Sequence, residues 1–406
     1  MGGARAAASA PIVQVRHLSL SGFRSYRSLE VDFPAGPQVV VGRNAAGKTN
    51  LLEALVVLAQ GHSHRTSTDV ELIAWGAGMA RLEASVQRGP VPDPVMSMGA
   101  TTGEGGDAGV DVLEVVLLVP GAIPGGRKRV RVNGVPRRAT ALTAALRAVV
   151  FAPEDMLLVV GSPSLRRGVL DDIVAQRIPA AASTMATYAR ALTQRNNLLR
   201  SIRESAAGRD ELPYWDGVVC AEGGRIVGWR RDTLAALAEP LADAHAEIAP
   251  GEAALGLHYQ SNAEPSLGET PEAALRRRLA ETTDKELWNG ATLVGPHRDD
   301  IGFRLDGRDL AGFASRGQQR TAILALKLAQ LDLLTTSDGA PPLLLLDDVF
   351  SELDPDRRAH LVRRIGGLPQ AFVTTTTLDD LDPALVAAST AWQVEPGRLE
   401  RVGVPS

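Results

Sequence analysis

Between about Val13 and Phe33 apolar and polar residues alternate in the manner of paired strands, with Phe23-Arg24-Ser25-Tyr26 between them. The valines from Val39 to Val41 then run into a glycine-bounded loop and an apolar-striped stretch, which predicts a strand followed by a helix to about Gln60. After the string Gly61 to Thr66, residues Arg81 to Arg88 alternate like a strand. The segments Asp111 to Val119 and Lys128 to Pro136 predict a hairpin that continues the same sheet, and Asn133-Gly134 supplies a turn signal. Between Gly89 and Gly109 the chain is rich in Gly, Pro and small polar residues, the composition of a mobile surface loop.

From about Pro163 to Leu287 the texture changes to Ala, Leu, Arg and Glu at helical spacing, with one strand-like stretch around Leu255 to Tyr259. From Thr292 onward short strand-like and helical segments alternate again. Among them, Leu343 to Leu346 form an apolar run bounded by Pro342 and the acidic pair Asp347-Asp348. Such a run fits a strand buried on both faces of a parallel sheet. The expected architecture is α/β with a mixed sheet. It has a split head of residues 1–162 and 288–406, a helical arm over 163–287 and a flexible loop over 89–109 within the head.

Composition narrows the function classes only slightly. The chain has 406 residues, 45% hydrophobic and 22% charged, enough apolar mass for a large core. Its formal net charge is -4, so binding of nucleic acid would have to rest on local patches. The one cysteine, Cys220, rules out an intrachain disulfide and suits a reducing compartment, and its apolar surroundings predict a core position. No secretory signal, myristoylation pattern or membrane-length apolar run is present, so the chain reads as a soluble cytoplasmic protein.

Chemistry enters at three places. The loop Gly42-Arg43-Asn44-Ala45-Ala46-Gly47-Lys48-Thr49, followed by Asn50, fits G-x-x-x-x-G-K-[ST] between a strand and a helix, the context in which that pattern binds phosphate. Lys48 would reach the β and γ phosphates, and the Thr49 hydroxyl would ligate Mg²⁺. Asp347 ends its strand where parallel sheets place ligands and can hold the same Mg²⁺, while Asp348 can polarise a water for attack on the γ phosphate. Third, Ser315, Gly317 and Gln318 open an apolar-striped helix whose N-terminus is a second anion site. Two phosphate cradles in one chain are economical if the second closes on a nucleotide held by another copy, in a two-fold pair with two ATP molecules between the subunits.

In their order, these three segments resemble the heads of ABC-type ATPases. The finer strings narrow the resemblance to the RecF family of bacterial recombination mediators. They run Phe23 to Tyr26, Gly61 to Thr66, Val132 to Pro136, Phe151 to Asp171, Leu192 to Leu199, Leu293 to Asp300 and Asp347 to Asp354. The resemblance implies an ATP-dependent, weak DNA-stimulated ATPase of recombinational gap repair. Its ATP-driven homodimer would bind duplex DNA and junctions of single-stranded and duplex DNA, without sequence specificity and without a membrane. It further implies slow hydrolysis for release, a direct partner RecR, indirect partners RecA and single-strand-binding protein, and a part in SOS induction.

Carried over residue by residue, Gly42 to Thr49 hold the triphosphate, Asp347 is the Mg²⁺ carboxylate and Asp348 stands where such heads carry a catalytic acid, usually Glu. Ser351 to Asp354 resemble the loop that touches the opposite subunit, and Ser315, Gly317 and Gln318 would cap the γ phosphate across the interface. Where many such heads have a switch histidine, only threonines are present, and Thr375 or Thr376 takes that place. Pro153 to Asp155 correspond by position to the usual Q-loop. Phosphate contacts to DNA fall to Arg65, Arg127, Lys128, Arg129, Arg131, Arg137 and Arg138. For His297 and Arg298, family likeness favours an interface or nucleotide-edge role. The runner-up class is the ATPase subunit of a membrane transporter, which shares the nucleotide motifs but usually brings the Ser315-like segment sooner.

Overall fold

The structure is a computed structural model that describes residues 12–89, 109–120 and 127–403. Most of the loop expected over 89–109 and the N-terminal segment before residue 12 lie outside the described residues. The chain divides into two compact units, Met1–Pro153 with Leu331–Ser406, and Glu154–Gln330.

In the first unit the alternating segments pair as an antiparallel sheet in the order β2-β1-β4-β5-β6-β7. Its strands are β1 (Ile12–Phe23), β2 (Tyr26–Asp32), β4 (Met79–Gly89), β5 (Val110–Leu118), β6 (Lys128–Val132) and β7 (Val135–Pro136). The Asn133-Gly134 turn has φ of 54° and 74° at its two residues, the left-handed pair that a tight hairpin between β6 and β7 requires. A second sheet, separate from the first, runs β15-β14-β3-β13-β12-β8. It comprises β3 (Gly36–Val41), β8 (Ala148–Phe151), β12 (Leu343–Asp347), β13 (Gln370–Thr375), β14 (Thr390–Glu395) and β15 (Arg398–Val402). Its strands are parallel except for the antiparallel edge strand β15. The leucine run is therefore β12, buried along its whole length between β13 and β8.

Helix α1 (Lys48–Gln60) contacts strands of both sheets, and every residue from Leu51 to Ala59 is buried. A helix that is apolar all round has to be covered on all sides. Leu51, Leu55 and Leu58 join Leu82 and Val115 of one sheet and Leu345 and Phe372 of the other in one core. Three shorter helices also belong to this unit, α2 (Thr140–Ala145), α10 (Pro355–Gly366) and α11 (Pro383–Ala388).

The second unit contains α3 (Leu157–Val160), α4 (Pro163–Arg177), α5 (Ala181–Arg203), α6 (Leu212–Ile248), α7 (Pro271–Asn289), α8 (Leu310–Phe313) and the start of α9 (Arg316–Asp338). A small antiparallel sheet of β9 (Leu255–Gln260), β10 (Asp300–Leu305) and β11 (Arg308–Asp309) belongs to it. Residues 288–330 thus cluster with the helices and not with the head, and Ile301 of β10 packs with Leu170, Val174 and Ala181. Cys220 is buried in this unit, and burial pushes its thiol up to about 11.

The segment Gly295 to Asp300 is the polar hub of the second unit. Pro296 O accepts from buried Arg230, which also grips Asp171 with two hydrogen bonds. Asp299 accepts from the Tyr259 hydroxyl at 2.6 Å and from the Asn262 backbone N–H at 3.1 Å. Asp300 takes a two-pronged pair from Arg166, and Arg298 donates to Thr292 O. His297 Nδ1 lies 2.7 Å from the Tyr188 hydroxyl. Gly295 sits at φ 135°, where any side chain is strained, and a Cβ there would lie 2.4 Å from that hydroxyl, so a substitution must displace it.

Burial holds the His297 imidazole neutral, with a pKa lowered to about 4. Unfolding exposes a histidine that takes up a proton below about pH 6.5, so the unfolded state binds more protons and stability rises with pH across that window. The contribution is complete above about pH 6.5 and is lost as pH falls toward 4. Urea unfolding at pH 7 and pH 5 should show wild type losing about 2 kcal/mol more than His297→Gln does. Equal losses would show that this imidazole is not buried neutral.

Candidate nucleotide-binding site

The site is built at the carboxyl ends of three neighbouring parallel strands. β13 lies between β3 and β12, and its Thr374 stands level with Val40 on one side and Asp347 on the other. The loop after β3 and the acidic pair after β12 therefore emerge at the same edge, the place where open parallel sheets bind ligands. The structure brings together Gly42 to Asn50, Asp347 and Asp348 in the first unit, and leaves Ser315, Gly317 and Gln318 in the second.

Two glycines shape the loop for different reasons. A Cβ on Gly42 would meet Val394 O at 2.7 Å, so the loop leaves β3 pressed against β14. Gly47 has φ 116°, and Ala45 is also left-handed at 66°. Arg43, Asn44 and Ala45 are exposed, while Ala46 is buried. α1 begins at Lys48 with no side-chain cap and no acidic residue in its first turn, which leaves its positive end for an outside anion. Lys48 Nζ donates to Gly42 O at 2.6 Å and Arg43 O at 3.2 Å, so it spans the loop. Burial lowers its pKa, and the charges of Asp348 and Asp347 oppose that shift.

The loop is supported from behind by residues of the strings Phe23 to Tyr26 and Gly61 to Thr66, and by Glu53, which no motif singled out. The Tyr26 hydroxyl donates to Gly47 O at 3.0 Å, and burial drives its pKa well above the usual range, so it stays a donor. Asn50 Nδ2 donates to Ser25 Oγ at 2.9 Å. Glu53 is a charge inside an otherwise apolar helix, and such a group needs partners. Arg24 donates to both of its oxygens at 2.8 Å, and Ser63 Oγ donates at 2.5 Å. Burial would raise the Glu53 pKa, but those hydrogen bonds and the charges of Arg24 and Arg65 outweigh it and hold the pKa low. A carboxylate in the run Leu51 to Ala59 was the available sequence signal, because a buried charge implies arginines nearby.

At the acidic strand, Asp347 is nearly inaccessible and accepts from Thr374 Oγ1 at 2.6 Å. Asp348 leaves the strand in the left-handed region at φ 53°, and its backbone N–H donates to the same Thr374 oxygen at 3.0 Å. Thr375 and Thr376 bond elsewhere, to Thr377 O at 2.8 Å and Asp380 Oδ2 at 3.4 Å. Ser351 Oγ donates to Asp348 O at 2.8 Å, and Asp354 caps α10 by accepting from Arg357 N at 3.0 Å. An uncapped helix end, a buried ammonium and two carboxylates form a donor set that fits a phosphate chain with a hard divalent cation.

In the second unit Ser315 Oγ accepts from Gln318 N at 3.2 Å, while Gln318 Oε1 accepts from Ser315 N at 3.0 Å. This is a reciprocal capping box at the start of α9. A Cβ on Gly317 would meet only Ser315 Oγ, at 3.7 Å, so the fold itself does not demand glycine there. Further along α9, Lys327 pairs with Asp155 at 2.7 Å, which ties the Pro153 to Asp155 segment to this helix.

The basic residues expected at DNA do not form one patch. Arg65 lies against α1, 3.4 Å from both Glu53 and Asn50. Lys128 pairs with Asp69 at 2.8 Å, and Arg131 with Glu114 at 3.3 Å. Alternation along β6 turns Arg129 and Arg131 to the opposite face from Lys128. Arg127, Arg137 and Arg138 are exposed around the ends of β6 and β7. Among the described residues no cluster of three or more His, Cys, Asp or Glu could hold a metal, and no helix is long and apolar enough to cross a membrane.

A glycine loop on β3, an acidic pair on β12 and a capped Ser-x-Gly-Gln helix, on an α/β head with a helical second unit, define the class as ABC-type ATPase heads. The model of the RecF/RecN/SMC N-terminal domain matches residues 14–390. The DNA replication and repair protein RecF of Heliobacterium modesticaldum is 36% identical over 96% of this chain and 99% of its own length. That of Synechocystis sp. is 38% identical, over 95% and 97%. The solved structures of the recombination mediator protein RecF with ATPrS and with ATP, from the RecFOR pathway, superpose with TM-scores of 0.84 at 27% identity. They cover 98% and 99% of this chain and the whole of theirs. The chain belongs to the RecF family.

Because Gly47 O also accepts from Leu51 N at 3.1 Å, losing the Tyr26 hydroxyl leaves no orphaned carbonyl. Tyr26→Phe should therefore keep the fold and weaken nucleotide binding by about fivefold, the effect of one neutral hydrogen bond. Fluorescence titration with an ATP analogue checks this, and unchanged affinity would show that the loop holds its shape without Tyr26.

Proposed function

We propose that this chain is an ATP-dependent DNA-binding protein of recombinational gap repair, in which a closed ATP-bound homodimer grips DNA and slow hydrolysis releases it. The observation that carries the reading is the shared edge of β3, β13 and β12, where the Lys48 loop and the acidic pair converge. The names of its relatives, DNA replication and repair protein RecF, support the setting.

Gly42 to Asn50 would hold the triphosphate of ATP, and Thr49 and Asp347 would hold Mg²⁺. Bound there, Mg²⁺ would offset the charge that builds on the phosphate oxygens. Lys48 supplies the fixed cation, and Asp348 orients a water and takes its proton. Aspartate is one methylene shorter than the usual glutamate, which favours slow turnover. Ser315, Gly317 and Gln318 close the pocket from a second copy, and the bare Gly317 leaves room for phosphate oxygens to approach the α9 N-terminus.

In this reading the closed dimer is the DNA-binding state, so affinity rises with ATP and falls with ADP. Exposed Arg127, Arg137 and Arg138 contact phosphates without reading sequence, joined by Arg65, Lys128, Arg129 and Arg131 once their present partners are exchanged. The substrate is duplex DNA and single/double-strand junctions at gaps, and DNA stimulates the ATPase. RecR is the direct partner in loading RecA onto strand covered by single-strand-binding protein, with SOS induction as the consequence.

Lys48→Met should abolish ATP binding in equilibrium titration. Asp348→Asn should keep binding, slow turnover by about 10²–10⁴ and accumulate dimer with ATP and Mg²⁺ in sedimentation. An Asp348→Asn variant that binds ATP and stays monomeric would contradict the timer mechanism.

A further inference from the structure

One hydroxyl joins the two acidic residues of the site. Thr374 is fully buried on β13, beside Asp347 of β12. Its Oγ1 lies 2.6 Å from Asp347 Oδ1 and 3.0 Å from the Asp348 backbone nitrogen. A backbone N–H can only donate, so the hydroxyl accepts from Asp348, and its single proton goes to the Asp347 carboxylate. This one contact fixes the rotation of the Asp347 carboxylate. It also anchors Asp348 in a left-handed conformation that a non-glycine residue rarely adopts.

We infer that Thr374 is a positioning residue that sets both the orientation of the cation-holding carboxylate and the direction in which the water-activating acid leaves the sheet. The inference rests on the nucleotide reading above. It separates Thr374 from its neighbours, because the Thr375 and Thr376 hydroxyls bond to Thr377 O and Asp380 Oδ2, and Thr377 Oγ1 accepts from Asp379 N. Valine at this position keeps the shape and the strand preference but can neither donate nor accept. Partners that orient metal-binding carboxylates typically matter by about 10–100-fold in metal affinity.

The test uses the full chain as wild type, Thr374→Val, Thr374→Ala and Thr374→Ser, with binding of a fluorescent ATP analogue followed in EDTA and across a Mg²⁺ titration. All four should bind equally in EDTA. The Mg²⁺ concentration for half-maximal enhancement should rise about 10–100-fold in Thr374→Val and Thr374→Ala, and Thr374→Ser should restore it. At saturating Mg²⁺, kcat should fall in the first two variants with little change in KM. A wild-type Mg²⁺ midpoint in whichever hydroxyl-free variant folds, or an equal loss of binding in EDTA, would overturn the role of Thr374. Wild-type protein that binds no nucleotide under either condition would instead overturn the reading of the site.

Discussion

The parallel register of β3, β13 and β12 is the constraint on which the site depends. Backbone pairing sets Val41 beside Thr375 and Asp347 beside Thr374. From that ladder alone the Lys48 loop, a buried hydroxyl and the acidic pair emerge at one edge, although the loop lies some three hundred residues from the other two in sequence. A slip of one residue in β13 would turn Thr374 to the other face, and the contact to Asp347 would be lost. Fully buried strands on both sides, Leu343 to Leu346 and Val39 to Val40, make such a slip costly.

A second layer of constraint holds α1. Its apolar sides are pinned between the two sheets, and Glu53 ties it to Arg24 and Ser63. Breaking one partner of a buried pair leaves an uncompensated charge, so the hairpin at Phe23 to Tyr26 and the segment at Gly61 to Thr66 are coupled to the phosphate loop. Both strings carried the family resemblance. Their physical content is support of the helix that opens at Lys48, and for Arg65 a place beside Asn50 and Glu53.

What the sequence made legible was local. Strand, glycine loop and helix follow one another within Val39 to Gln60, and Ser315 with Gln318 is a capping box spaced three residues apart. The leucine run announced a doubly buried strand for the same reason. Alternation, by contrast, says that one face is buried but not in which sheet, so the separation of the head into two sheets was not visible. The packing of residues 288–330 with the helical unit depends on Ile301 meeting α4 and α5, a contact between distant segments. A run of four threonines offers no pattern from which to select Thr374, and the role of His297 as a half-buried partner of Tyr188 depends on pairing across 109 residues.

In the proposed dimer Lys48 of one copy and Ser315 of another serve the same nucleotide. Mixing two inactive chains, Lys48→Met and Ser315→Arg, distinguishes this from a pocket within one chain. In a two-fold pair one pocket would collect both lesions and the other would be intact. ATP turnover should therefore reappear on mixing, in proportion to the mixed dimer. If both residues served a pocket within one chain, the mixture would stay as inactive as its components, and the shared pocket of the dimer would be ruled out.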